Sequence, residues 1–140
     1  MRLDAATALA DGSLAQTERF LSDEFWKLRE ENLNSLHNCR GKLQNILALS
    51  EKLSKEKTLA KEFLLLANLW YRDLLFLKLG LGGGNLINQD KEELLQKQAG
   101  AWDVAGLQNC LQQIQEAFSA FQYNANPRLI LENTLINLKP

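Results

Sequence analysis

The sequence is poor in the residues that build sheets, disulfide frameworks and catalytic sites. Its 140 residues include one histidine, two cysteines, two prolines and a single valine, Val104. Leucine dominates the apolar set instead. So few β-branched residues disfavour strands, and no run alternates apolar and polar residues long enough to read as one. One of the two prolines is terminal, so long stretches are free of helix breakers. Net charge is −1, so no global basic field attracts nucleic acid. Cys39 and Cys110 lie far apart and read as small buried hydrophobes rather than a disulfide. His37 and Cys39 are two apart, but nothing nearby completes a zinc site, so no metal is expected.

What is present is a long apolar run, Phe63–Leu81, with Arg72 and Asp73 side by side in its middle. At helical spacing Arg72 meets Asn68, Leu69, Leu75 and Phe76, and Asp73 meets Leu69, Trp70, Phe76 and Leu77. No in-helix partner of opposite charge stands at those positions. An unpaired charge in an apolar surround is costly, so another helix or another chain must answer these two. The same charges, with Asn68 and Lys78, argue against a membrane span. The N-terminus has no apolar core of the signal-peptide kind, and a cytoplasmic location is expected. Lys52, Lys55, Lys57 and Lys61 are interleaved with Glu51, Glu56 and Glu62, which reads as a solvated helix face.

Punctuation divides the chain into helices. Residues 4–10 form a short helical end before Asp11-Gly12, and Ser13 with Gln16 is a capping-box pattern for a second short helix. A helix from about Asp23 to Asn38 carries Phe25, Trp26, Leu28, Leu33 and Leu36, and Gly41 breaks it. The next carries Leu43, Ile46, Leu47, Leu49 and Leu53. It either runs on or kinks near Ser54 into the long helix that ends at Leu79. Gly80 suits a left-handed cap. The loop GLGGGNLINQ follows, and Asp90 with Glu93 forms another capping-box pattern. Asp103 caps the helix with the clearest periodicity: Val104, Leu107, Leu111, Ile114, Phe118 and Phe121 are spaced 3, 4, 3, 4, 3, a seam that packs against neighbouring helices. Asn126 caps a last helix with Pro127 at its first position. Leu129, Ile130, Leu131, Leu135, Ile136 and Leu138 give that helix more apolar surface than one face buries, so part of it is expected to cover a partner.

Catalytic chemistry is not indicated. His37 and Cys39 fall on different helix faces, no E-x-x-H pattern suggests a carboxylate-bridged metal, and paired acids such as Glu30-Glu31 and Glu92-Glu93 suit exposed faces. The glycine loop lacks both the preceding strand and the Gly-Lys-Ser/Thr ending of a phosphate cradle. Neither a cofactor nor a small-molecule substrate is expected.

Three strings carry a resemblance: WYRDLLFLKLG (Trp70–Gly80), LINQD (Leu86–Asp90) and NANPRLILENTLINL (Asn124–Leu138). Through Trp70, Arg72, Asp73, Leu74, Leu75, Asn88, Asp90, Asn124, Asn126, Leu129, Leu131 and Glu132 they resemble the C-terminal domain of the delta-prime subunit of the bacterial DNA polymerase III clamp loader. ADGSLAQTE (Ala10–Glu18) is similar to the end of the lid domain that precedes it in such AAA+ subunits. Ala15 stands where ATP-hydrolysing relatives have an arginine, which fits delta-prime better than gamma/tau. The resemblance implies a lid remnant over 1–22 and an all-α collar domain over 23–140, a bundle of about five to seven helices. It also implies a non-catalytic module that joins delta and gamma/tau subunits and meets the sliding clamp and primed DNA only through the whole complex. Trp70, Arg72, Asp73, Asn124, Asn126, Arg128 and Glu132 are then its structural or interface residues. Arg72 is expected to pair with Glu132, or Asp73 with Arg128, tying the long helix to the last one. The rival readings are the equivalent gamma/tau domain and a single-stranded nucleic-acid binder stacking bases on Trp70, Tyr71 and Trp102.

Overall fold

Six α-helices and one 3-10 turn, with no strand, make up the regular structure of residues 23–123 and 126–140, which the computed structural model describes. Helix α1 is Asp23–Cys39, α2 is Leu43–Ser54 and α3 is Lys57–Lys78. A 3-10 turn at Gln89–Lys91 leads into α4, Glu92–Ala99; α5 is Val104–Gln122 and α6 is Pro127–Ile136. The expected all-α bundle is what forms. The short helices expected before residue 23, the expected lid remnant, and Asn124 lie outside the described residues.

Most boundaries have a local cause. Gly41 ends α1 with φ +72°, a conformation that only glycine adopts without a Cβ penalty. The chain breaks between α2 and α3 at Lys55-Glu56, where Glu56 is extended. Ser54 Oγ donates to the Glu51 carbonyl at 2.9 Å, a local bond that competes with helix continuation. Of the two expectations for this junction, interruption is therefore the outcome. α3 closes with a Schellman motif: Leu81 N–H donates to Phe76 O and Gly80 N–H to Leu77 O, with Gly80 at φ +74°. Asp103 Oδ1 accepts from Gly106 N–H at the start of α5, and Asn126 Oδ1 accepts from Arg128 and Leu129 N–H at the start of α6.

The central rod is α3, which touches each of the other five helices. Ala60, Phe63, Leu64, Leu66, Ala67, Trp70, Tyr71 and Leu74 are all buried along it. Around it α1 packs on α2, α2 on α6 and α6 on α5, while α4 lies against α3 beside the loop. The α5 seam is turned slightly from the expected one. Its buried line is Leu107, Cys110, Ile114, Ala117 and Phe121, while Val104, Leu111 and Phe118 are half-buried. Small Cys110 and Ala117 face the core, which lets α5 sit close to its neighbours. Both cysteines are buried free thiols. Among the described residues no helix is long and apolar enough to cross a membrane.

Replacing fully buried Leu74 with alanine is expected to lower the unfolding free energy by about 2–5 kcal/mol. Leu65→Ala, on the exposed side of the same helix, should cost less than about 1 kcal/mol. Urea denaturation of the two variants measures both.

Candidate functional site

Arg29 organises the main polar cluster. It occupies an apolar row of α1, Trp26, Arg29, Leu33 and Leu36, so the helix turns it inward with its hydrophobic neighbours. Its side chain is 0% exposed. The guanidinium forks onto Asp90: Nη1 donates to Oδ2 at 2.9 Å and Nη2 to Oδ1 at 3.0 Å. Nη2 also donates to Asn88 Oδ1 at 2.6 Å, and the group lies 4.9 Å from the Trp26 ring centroid. Such charge-assisted, bidentate bonds are the strong ones, and a buried arginine requires them. Toward solvent, Lys91 Nζ and Glu30 form an ion pair at 2.9 Å.

Asn88 relays the cluster to α3. Its Oδ1 faces the guanidinium, so its Nδ2 is left to donate to Asp73 Oδ2 at 2.8 Å. Asp73, also 0% exposed, accepts in addition from Asn88 N–H at 2.7 Å and Ile87 N–H at 2.9 Å. Arg72 Nη1 donates to Asp73 Oδ1 at 3.2 Å and to Asn85 O at 3.4 Å, and its guanidinium lies 4.0 Å from the Phe76 ring centroid. The carboxylate of Asp73 thus holds the turn at residues 87–88, and Leu86, the residue before that turn, is buried.

These contacts correct three expectations. Arg72 does not pair with Glu132, nor Asp73 with Arg128. Backbone donors of the loop, brought over α3, satisfy Asp73, and its sequence neighbour supplies the counter-charge despite the i, i+1 spacing. Arg128 Nε instead donates to Glu132 Oε1 at 2.9 Å within α6, a surface pair worth about 0.3–0.5 kcal/mol. Asp90 is not a helix cap: its carboxylate is taken by Arg29, and α4 starts at Glu92 with no side-chain cap. So the two central charges are answered inside the chain, and they do not by themselves call for a partner.

Trp70 is buried, and its Nε1–H donates to Gln98 Oε1 at 2.9 Å. That orients the Gln98 amide so that its Nε2 donates to His37 Nε2 at 3.2 Å. His37 is then a neutral acceptor, edge-on to Trp70 at 5.1 Å. Burial, then the Arg40 and Lys91 charges, push its pKa below the ordinary value. Tyr71 and Trp102 are buried too, in a T-shaped pair at 5.4 Å. With Trp70, Tyr71 and Trp102 all inside, no base can stack on them, and the nucleic-acid reading loses its platform.

The remaining expected residues lie on α6. Asn126 is its cap, Arg128 and Glu132 form the surface pair above, and Asn124 is outside the described residues. Beside that pair, Leu129 is 62% and Ile136 43% exposed, two turns apart on one outward face. On α2, which packs on α6, Leu43 and Leu47 are exposed as well. Arg29 is the residue that sequence reasoning missed. Its signal was a charge inside a 3, 4, 3 apolar row. Among the described residues no group of three or more His, Cys, Asp or Glu side chains is placed to hold a metal.

Four residues of the strings that carry the resemblance, Arg72, Asp73, Asn88 and Asp90, therefore meet in one cluster. The family model for the C-terminal region of the DNA polymerase III delta subunit matches residues 23–139. No curated protein and no solved structure matches the chain.

Asp73→Ala should cost about 3–5 kcal/mol, as expected when a buried, hydrogen-bonded charge is removed. Hydrogen exchange should show the Ile87 and Asn88 amides losing protection more than amides in α5. For His37, the unfolded chain takes up a proton near pH 6.5 while the folded one holds the ring neutral. Stability should therefore fall as pH drops below that value, and level off once the lowered folded pKa is passed. Because this is the sole histidine, His37→Gln should flatten the profile between about pH 7 and 5.5, read as melting temperature against pH.

Proposed function

This chain belongs to the family of C-terminal domains of the DNA polymerase III delta subunit, which are clamp-loader domains, and from that premise we propose that it is the collar of a delta-prime subunit. It is a non-catalytic oligomerisation module that holds its subunit beside gamma/tau and delta. The complete clamp loader, not this domain, meets the sliding clamp and primed DNA, and it works in the cytoplasm. Ala15, in place of the arginine of ATP-hydrolysing relatives, favours delta-prime over gamma/tau.

The outward face of α6 carries this reading. Leu129 and Ile136 stand exposed there beside a single self-contained ion pair. Apolar side chains on an outer helix face, with few charges to desolvate, suit a protein interface. The polar cluster supports it in a second way. Arg29, Asp73, Asn88 and Asp90 are used up in holding the fold together, and so are poor candidates for acid–base work.

The test is association with delta and gamma/tau subunits, read by co-elution and titration. A Leu129→Glu/Ile136→Glu double variant should bind at least about tenfold more weakly, with an unchanged melting temperature. Association equal to that of the unaltered chain would remove α6 as the interface.

A further inference from the structure

A shallow pocket opens at the end of α1, lined by His37, Arg40, Gly41, Lys139 and Pro140. Its charged side chains, Arg40 and Lys139, are both cations. Neither has a carboxylate within ion-pair distance among the described residues. His37 has its Nε2 committed to Gln98. The half-buried Arg40 guanidinium is laid over the Trp102 ring, 4.7 Å from its centroid. Trp102 is itself buried, and its indole N–H has no acceptor among the described residues. Among those residues, the two cations of this pocket therefore meet no carboxylate within ion-pair distance. Arg29, Arg72, Lys91 and Arg128 differ, since each has a carboxylate.

We propose that this pocket receives a carboxylate side chain from a neighbouring protein subunit, bound by the edge of the Arg40 guanidinium and by Lys139. The inference rests on the reading of the domain as an assembly module, and it adds a second, polar contact to the apolar one on α6. Stacking on an indole holds the guanidinium plane while leaving its edge of paired N–H groups free. A carboxylate matches that edge in a bidentate fashion. Little side-chain freedom remains to be lost on binding. A nucleic-acid backbone fits less well. Phosphate binding draws on rows of cations along a tract, whereas this pocket has two on a chain of net charge −1.

The experiment measures the affinity of the chain for delta and gamma/tau subunits, with Arg40→Gln, Arg40→Lys and Lys139→Gln compared at low and high salt. Arg40→Gln should weaken binding by about tenfold or more, Arg40→Lys by less, because an ammonium cannot fork. Lys139→Gln should reduce the salt dependence; since Lys139 is exposed, that variant decides the matter alone if Arg40→Gln does not fold. Wild-type affinity in all three variants, while the α6 double variant still loses binding, would overturn this pocket and leave the assembly reading standing. No association by the unaltered chain would overturn both. Loss of affinity for a primed DNA duplex, with binding to the other subunits intact, would make nucleic acid the occupant and the proposal wrong.

Discussion

The fold depends on placing one guanidinium where water cannot reach it. A buried Arg29 is tolerable only if a carboxylate and further acceptors come to it, because an isolated charge in an apolar interior is strongly disfavoured. Asp90 and Asn88 meet that requirement from a segment about 60 residues away in the chain. The requirement fixes where that segment lies. Once Asn88 has turned its oxygen to the arginine, its amide nitrogen and the neighbouring backbone N–H groups fall on Asp73 of α3. A glycine-rich connection is thereby pinned to two helices at once, and α4 leaves it in a defined direction. Such a cluster selects one arrangement of loop and helices.

A division between interior and exterior follows. The two charges set deep in the bundle are each answered by a partly exposed partner, Arg29 by Asp90 and Asp73 by Arg72. Arg29 and Asp73 are out of reach of a partner or a substrate. What the bundle offers outward is of another kind: leucines and an isoleucine on α2 and α6, and two cations at the end of α1 that meet no carboxylate among the described residues. The assembly role proposed above would make use of such a surface. A stable rod and a pinned loop keep the outer helices in place, and those helices present the exposed apolar side chains.

The helices were legible in the sequence because their causes are local. Helix starts at Asp103 and Asn126, stops at Gly41 and Gly80, and the seam of α5 each arise from residues within a few positions of one another, at spacings set by helical geometry. The excess apolar surface of α6 was legible for the same reason. The turn of the α5 seam toward Cys110 and Ala117 was not, because it depends on how closely α3 approaches.

By itself the sequence determined an all-α chain, its helix boundaries to within a residue or two over most of its length, its largely buried long rod, and the charges that needed an answer. Which group answered each charge was decided only by the tertiary structure. Hydrogen bonds from Asn88 and Ile87 to Asp73, or from Arg29 to Asp90, join residues that no periodicity relates, since they form only after helices pack and a loop crosses between them. Asp90 shows the limit most plainly. Its local pattern is that of a helix cap, yet a buried guanidinium competes for the same oxygens, and the stronger charge-assisted pairing takes them.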